Sequence, residues 1–100
     1  MPDDPLHDKL TSELAEAGWR LLAPHFARGA LLICDERVGL VEAAVALARD
    51  EVAVVAEWLN AGALRKPTEA EAAAWATSAP AFRFLIVQPF VVAEVLPPAA

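Results

Sequence analysis

The most restrictive feature of the sequence is a strand-forming segment near its end, residues 82–95. It is rich in β-branched and aromatic residues, and apolar side chains fall on both faces of the extended chain. A strand that is apolar on both faces needs cover on both sides. Because 100 residues build only one modest core, a second copy of the chain can supply one cover. Pro89 cannot donate to a β-ladder and indicates an edge, a bulge or a bend between two strands.

Helical spacing of apolar residues covers most of the remaining chain. The predicted elements are a helix over 6–17, a short helix or turn-rich connector over 19–28, a strand over 30–34, two helices within 36–62, a short strand over 63–66 and a helix over 68–76. Gly18 is interpreted as the end of the first helix, and Gly62 as a left-handed helix cap. Asp35 and Asp50 are interpreted as helix N-caps. Residues 68–71, Thr-Glu-Ala-Glu, form a capping-box motif.

This order predicts an α+β fold, with α/β alternation left open because the connections do not fix the strand order. We expect one domain over residues 1–100, in which four or so helices pack on a small sheet. Residues 1–5 and 97–100 are expected to be frayed termini, since they are rich in proline and offer little to bury.

The charge balance disfavours two classes of partner. Fourteen acidic residues against eight basic ones give a net charge of −6. Nucleic-acid binders gain affinity from Lys and Arg contacts to phosphates, and anionic membranes attract basic surfaces, so neither partner is expected. The most apolar stretch, residues 84–96, contains Gln88, Pro89 and Glu94 and is shorter than the about 20 residues of a membrane-spanning helix. The first five residues lack the basic and apolar regions of a signal peptide. We therefore expect a soluble, cytoplasmic protein.

Residue types that carry catalysis or bind metals are sparse. Cys34 is the single cysteine, and the two histidines do not share a helical turn, so no metal site and no cofactor are predicted. Cys34 with His25 and Asp35 supplies the residue types of a nucleophilic triad. However, Cys34 lies in an apolar run, where a thiol packs as a small hydrophobic group. No acid–base pair is recognisable, and the sequence leaves open whether the chain is an enzyme.

The best ligand-binding candidate is a group of charged residues that flank the predicted strand over 30–34. His25 and Arg28 precede this strand, and Asp35 and Glu36 follow it. Arg28 can hold a carboxylate or a phosphate with two parallel hydrogen bonds, and His25 titrates near neutrality. The alternative is that His25 and Arg28 lie on a connector and pair with acidic residues.

Two functional hypotheses follow. The first is a non-catalytic binding or scaffold module that forms a homodimer through Phe90, Val91 and Val92, with an unidentified protein as a further partner. The second is a domain that binds a small anionic metabolite, or a minor enzyme, with its site around His25 and Arg28.

Four segments in a fixed order resemble a known family. They are Trp19 with Pro-His-Phe-Ala-Arg-Gly at 24–29 before an apolar strand; residues 40–48 followed by Asp50; Trp58-Leu59 with Gly62, Leu64, Lys66, Pro67 and Thr68; and Leu-Ile-Val-Gln-Pro-Phe-Val-Val at 85–92. Over 6–96 the chain is similar to the small bacterial family called domain of unknown function 2288. Glu36-Arg37 departs from the more neutral turn expected there. The resemblance implies a self-contained, soluble bacterial protein and assigns no activity.

Overall fold

The computed structural model describes residues 5–97, which form five helices and five strands. The elements in chain order are α1 (Pro5–Ser12), β1 (Ala15–Gly18), α2 (Trp19–Ala27), β2 (Leu31–Cys34), α3 (Leu40–Ala48), α4 (Val52–Ala61), β3 (Leu64–Arg65), α5 (Glu69–Ser78), β4 (Ala81–Val87) and β5 (Phe90–Val95). The predicted α+β class is confirmed, with one helix more than the approximate expectation of four. Pro5 and Pro97 were expected in frayed termini, and Pro5 is the first residue of α1. Residues 1–4 and 98–100 lie outside the described residues.

The five strands form one mixed sheet in the order β1-β4-β5-β2-β3. β2 and β5 are parallel, with Leu31 opposite Val91. The other three pairings are antiparallel. β4 and β5 form a hairpin around the cis Gln88–Pro89 peptide, so of the three alternatives at Pro89 the structure shows the bend between two strands. The segment 82–95 therefore forms two central strands of the sheet.

Helices cover both faces of the sheet. On one face α1, α3 and α4 pack against a core that includes Leu32, Leu85 and Val92. On the other face α2 and α5 pack against a core that includes Leu31 and Phe82. The chain's own helices thus supply the two covers that the apolar strands require. A second copy, which the sequence offered as one possible cover, is therefore not needed to cover these strands.

Strand β1 was not predicted. The helix expected over 6–17 ends at Ser12. In its last turn the Thr11 hydroxyl donates to the His7 carbonyl, and the Ser12 hydroxyl donates to the Lys9 carbonyl. Ala15–Gly18 then pairs antiparallel with Phe84–Ala81. The helical spacing of Leu14 and Ala17 was a real pattern, but pairing with the exposed edge of β4 overrides local propensity.

Two of the predicted helix boundaries are confirmed and three are wrong, including Gly18, which is the last residue of β1 and not a helix end. Gly62 ends α4 with φ 75°, and Thr68 with Glu71 forms the capping box of α5. α3 begins after Gly39, because the Asp35 carboxylate accepts from the Arg37 backbone N–H and closes a local turn instead. α4 begins after Glu51 without a side-chain cap, and Asp50 occupies the left-handed region with φ 57°.

Within residues 5–97 no helix is long and apolar enough to cross a membrane.

Candidate functional site

His25 and Arg28 lie together at the end of α2, before the amino end of β2. The Arg28 guanidinium Nη2 and the His25 ring Nδ1 are 2.6 Å apart. Gly29, with φ 73°, makes the turn into the strand. Arg28 forms no ion pair with any carboxylate between residues 5 and 97. Within the described residues, Arg28 therefore does not form the ion pair with an acidic residue that the alternative interpretation expected.

Asp35 and Glu36 lie at the carboxyl end of the same strand, so the four predicted residues form two separate groups. A strand of four residues separates its ends by about 10 Å. Asp35 pairs with Arg37, whose Nη2 lies 2.6 Å from Oδ2. Hydrogen bonds from Arg37 hold the pKa of Asp35 below its usual value. Glu36 is exposed. The structure does not join His25 and Arg28 with Asp35 and Glu36 in one pocket.

A crevice at the carboxyl ends of β2 and β5 contains arginines that already face carboxylates. It is lined by Cys34, Arg83 and Glu94, together with the Asp35–Arg37 turn. Arg83 lies between two acids, with Nη1 3.4 Å from Glu94 and Nη2 3.9 Å from Glu16. Because the cations of this crevice already face carboxylates, an added anion would have to displace an internal partner.

The Cys34 thiol does not fit the role of a nucleophile. Its side chain is 2% exposed. Burial, with a smaller contribution from the Glu94 carboxylate, raises the pKa of Cys34 to about 12. A thiol with so high a pKa remains protonated at neutral pH, and the thiolate is the reactive form. The structure also separates Cys34 from His25, which lies at the other end of β2.

Among the described residues, no three His, Cys, Asp or Glu side chains cluster in a way that could hold a metal ion.

The predicted interface residues lie mostly in the interior. Val91 and Val92 point to opposite faces of the sheet and are 2% and 0% exposed. Both belong to β5, which pairs on its two sides with β4 and β2. Phe90 is half-buried at the start of the strand. Val91 and Val92 thus pack against the chain's own helices, and Phe90 alone of the three reaches the surface.

Helix α4 is the element with the largest mismatch between composition and burial. Eight of its ten residues are apolar, yet none is fully buried. Val55 and Trp58 pack partly against the core. Val52 is 69% exposed and Leu59 48% exposed. With Ala56 these residues follow the i, i+4, i+7 spacing of one helix face, and we call Val52, Ala56 and Leu59 the α4 stripe.

The α4 stripe borders an apolar groove of about 600 Å³ between the helices and the sheet, which we call the α4 groove. Its apolar lining includes Leu32, Ala46, Val52, Val55, Leu59 and Phe90. Asp50, Glu51 and Lys66 contribute the charged groups. Leu32 and Ala46 are core residues, so the groove extends inward from the surface.

The helical spacing of Val52, Val55, Ala56 and Leu59 puts them on one face of α4, but neither sequence-based hypothesis placed a functional surface on this helix. The available signal was the composition of the whole helix. Glu57 is the only charged residue of α4, so apolar residues extend beyond the width that one packed face requires. A helix that is apolar over most of its surface is typically covered on more than one side.

Comparison with known proteins confirms the family resemblance. The family model described as "Protein of unknown function (DUF2288)" matches residues 5–94. Among solved structures, the NMR solution structure of PA1075 from Pseudomonas aeruginosa is similar, with 41% sequence identity and a TM-score of 0.80. The match covers 95% of this chain and 88% of that chain. No curated protein matches the sequence.

Proposed function

We propose that this chain, which belongs to the DUF2288 family, is a non-catalytic binding module that self-associates through the α4 stripe. The observation that carries the proposal is that α4 is apolar but buries none of its ten residues completely. A second copy packed on the stripe would remove Val52, Ala56 and Leu59 from water. Each fully buried Val or Leu side chain contributes about 1.5–3 kcal/mol.

A second copy is the partner whose surface fits this stripe. In a two-fold dimer the same patch faces itself, so a charged residue near the two-fold axis would meet a like charge. The stripe contains only apolar side chains. Glu57, five positions after Val52, points away from the stripe because successive helical residues are rotated by about 100°. Two stripes can therefore pack together without like charges facing each other within the stripe.

The distribution of exposed apolar residues also favours α4. Six large hydrophobic residues of the described chain are exposed, and three of them, Val52, Val54 and Leu59, lie on this helix. Single exposed hydrophobic residues are ordinary, whereas a contiguous group marks an interaction surface. Val52 and Leu59 share the α4 stripe, and Val54 lies on another face of the helix. Leu21, Ile86 and Val95 lie on three other elements.

A matched pair of variants tests the surface. Leu59→Lys introduces a charge within the stripe, and Leu21→Lys introduces the same charge on α2, where the leucine is 55% exposed. Sedimentation velocity should show at least tenfold weaker association for Leu59→Lys and an unchanged association for Leu21→Lys, provided both retain the wild-type circular dichroism spectrum. Equal effects of the two variants would contradict the proposed surface.

A second candidate function, the binding of a small anion at His25 and Arg28, has one supporting observation. The Arg28 guanidinium contacts a histidine ring rather than a carboxylate, so its remaining donors stay available. Thermal denaturation with added phosphate tests this candidate, with sodium chloride at equal ionic strength as the control. Phosphate should raise the Tm of the wild type and leave that of Arg28→Ala unchanged. An equal rise in both proteins would contradict a site at Arg28.

A further inference from the structure

We propose that the α4 groove binds an apolar chain that ends in a single carboxylate, such as a fatty acid. This inference goes beyond self-association. The two proposals share Val52, Ala56 and Leu59, which line the groove and form the stripe. Ligand titration and sedimentation measure them separately, because a monomer can bind a fatty acid and a dimer can form without one.

The dimensions of the α4 groove suit a small molecule. Its volume of about 600 Å³ falls within the range of small-molecule sites. Leu32 and Ala46, which are 6% and 2% exposed, form part of its lining. The cavity therefore extends from the exposed stripe to core residues, a depth that a slender alkyl chain can occupy. Burial of that chain contributes about 0.8 kcal/mol per methylene.

The charged residues of the groove indicate which polar group the ligand carries at one end. Lys66 is the cation that lines it. The Lys66 ammonium forms no ion pair with any residue in 5–97, in contrast to Arg37, Arg65 and Arg83. The Nζ atom lies beside Gly29, 3.8 Å from where a Cβ on that glycine would stand, at the edge of the groove. It is therefore available to a ligand carboxylate at the groove edge, and a charge-assisted hydrogen bond of that kind is stronger than a neutral one.

Asp50 and Glu51 restrict the ligand further. Both acids line the same groove as Lys66. A ligand with two or more negative charges would place one of them near these carboxylates, where like charges repel. One cation and two acids therefore favour a monocarboxylate over a phosphate or a dicarboxylate.

Decanoate and its uncharged analogue decanol are suitable probes. In ¹⁵N-edited NMR titrations of the wild type, decanoate should shift the amide signals of Leu47, Val55 and Phe90. Lys66→Gln should weaken decanoate binding about tenfold, as expected for the loss of a charge-assisted hydrogen bond, and should leave decanol binding unchanged. Lys66→Arg should retain most of the affinity. Equal affinity of wild type and Lys66→Gln for decanoate would overturn the assignment of the carboxylate to Lys66.

A second pair of variants tests the location of the alkyl chain without altering charge. Ala56→Phe places a ring at the groove lining, whereas Ala53→Phe places it on a part of α4 that does not line the groove. Ala56→Phe should abolish binding of both probes, and Ala53→Phe should bind them as the wild type does. Undiminished binding by a folded Ala56→Phe variant would overturn the groove as the site. Sedimentation of the same samples reports self-association separately.

Discussion

Arg65 and Glu71 join the edge strand β3 to helix α5 through two parallel hydrogen bonds. Arg65 Nη1 donates to Glu71 Oε1 at 2.6 Å, and Nη2 donates to Oε2 at 2.8 Å. The same glutamate accepts from the backbone N–H of Thr68 and completes the capping box. One side chain therefore both starts α5 and fixes it to the sheet.

This dual role predicts a pH-dependent effect of Glu71→Gln. Glutamine preserves the capping-box geometry but removes the ion pair, and both partners are partly exposed, so the expected loss at pH 7 is about 1 kcal/mol. The Arg65 guanidinium holds the pKa of Glu71 below its usual value of 4.5. The contribution of the carboxylate is complete above pH 4.5 and is lost as the pH falls through its lower folded-state pKa. Urea denaturation at pH 7 and pH 3 measures both stabilities. The difference in stability between the two proteins should be smaller at pH 3 than at pH 7, and a constant difference would contradict this account.

Two residues with left-handed backbone provide a reciprocal prediction. Ala79 ends α5 with φ 51°, whereas Gly62 ends α4 with φ 75°. Alanine is strained in this region and glycine is not, so Ala79→Gly should stabilise the protein by about 0.5–1 kcal/mol. Gly62→Ala should destabilise it by about 1 kcal/mol, and no neighbouring atom would clash with the added Cβ. Chemical denaturation at pH 7 measures both free energies of unfolding. Changes of the same sign would show that the helix ends respond to something other than backbone strain.

The aromatic cluster under α2 and α5 should dominate the stability of its face of the sheet. Phe82 is fully buried, and its ring centroid lies 5.2 Å from that of Trp75 and 5.9 Å from that of Trp19. Phe82→Leu should destabilise the fold by about 1–2 kcal/mol, because leucine fills most of the volume but loses the ring contacts. Phe90→Leu, at a half-buried position, should cost less. Urea denaturation followed by tryptophan fluorescence measures both effects, and a larger loss at Phe90 would be inconsistent with the described packing.

Salt should strengthen self-association. Each copy carries a net charge of −6, so two copies repel each other, while the proposed contact itself is apolar. Screening of this repulsion should lower the dissociation constant between 50 mM and 500 mM sodium chloride. Sedimentation equilibrium at the two salt concentrations provides the measurement. Weaker association at the higher concentration would indicate an interface formed by ion pairs rather than by the α4 stripe.

The sequence predicted those parts of the fold that depend on local chemistry. The strand before Asp35, the capping box at Thr68 and the helix end at Gly62 follow from residue types at fixed spacing. Strand β1 could not be predicted this way, because Ala15–Gly18 becomes a strand only by pairing with β4. Residue type alone also could not predict the role of Asp35. Its carboxylate accepts from the backbone N–H of Arg37 and closes a turn, and it does not cap a helix.

The candidate site was predictable only in part. His25 and Arg28 are spaced to meet on one helical turn, and they do. Asp35 is distant from them because an extended strand intervenes. The α4 groove depends on the distance between α4 and the sheet. This distance is a tertiary property, and the spacing of Val52 and Leu59 in the sequence does not predict it.

The most direct test of the central proposal is sedimentation equilibrium of the wild-type protein over a wide concentration range. Self-association through α4 predicts that the mass rises with concentration from 10.7 kDa to twice that value and then remains constant, since a two-fold contact closes on itself. A mass of 10.7 kDa at every concentration, up to the highest attainable, would contradict the proposal.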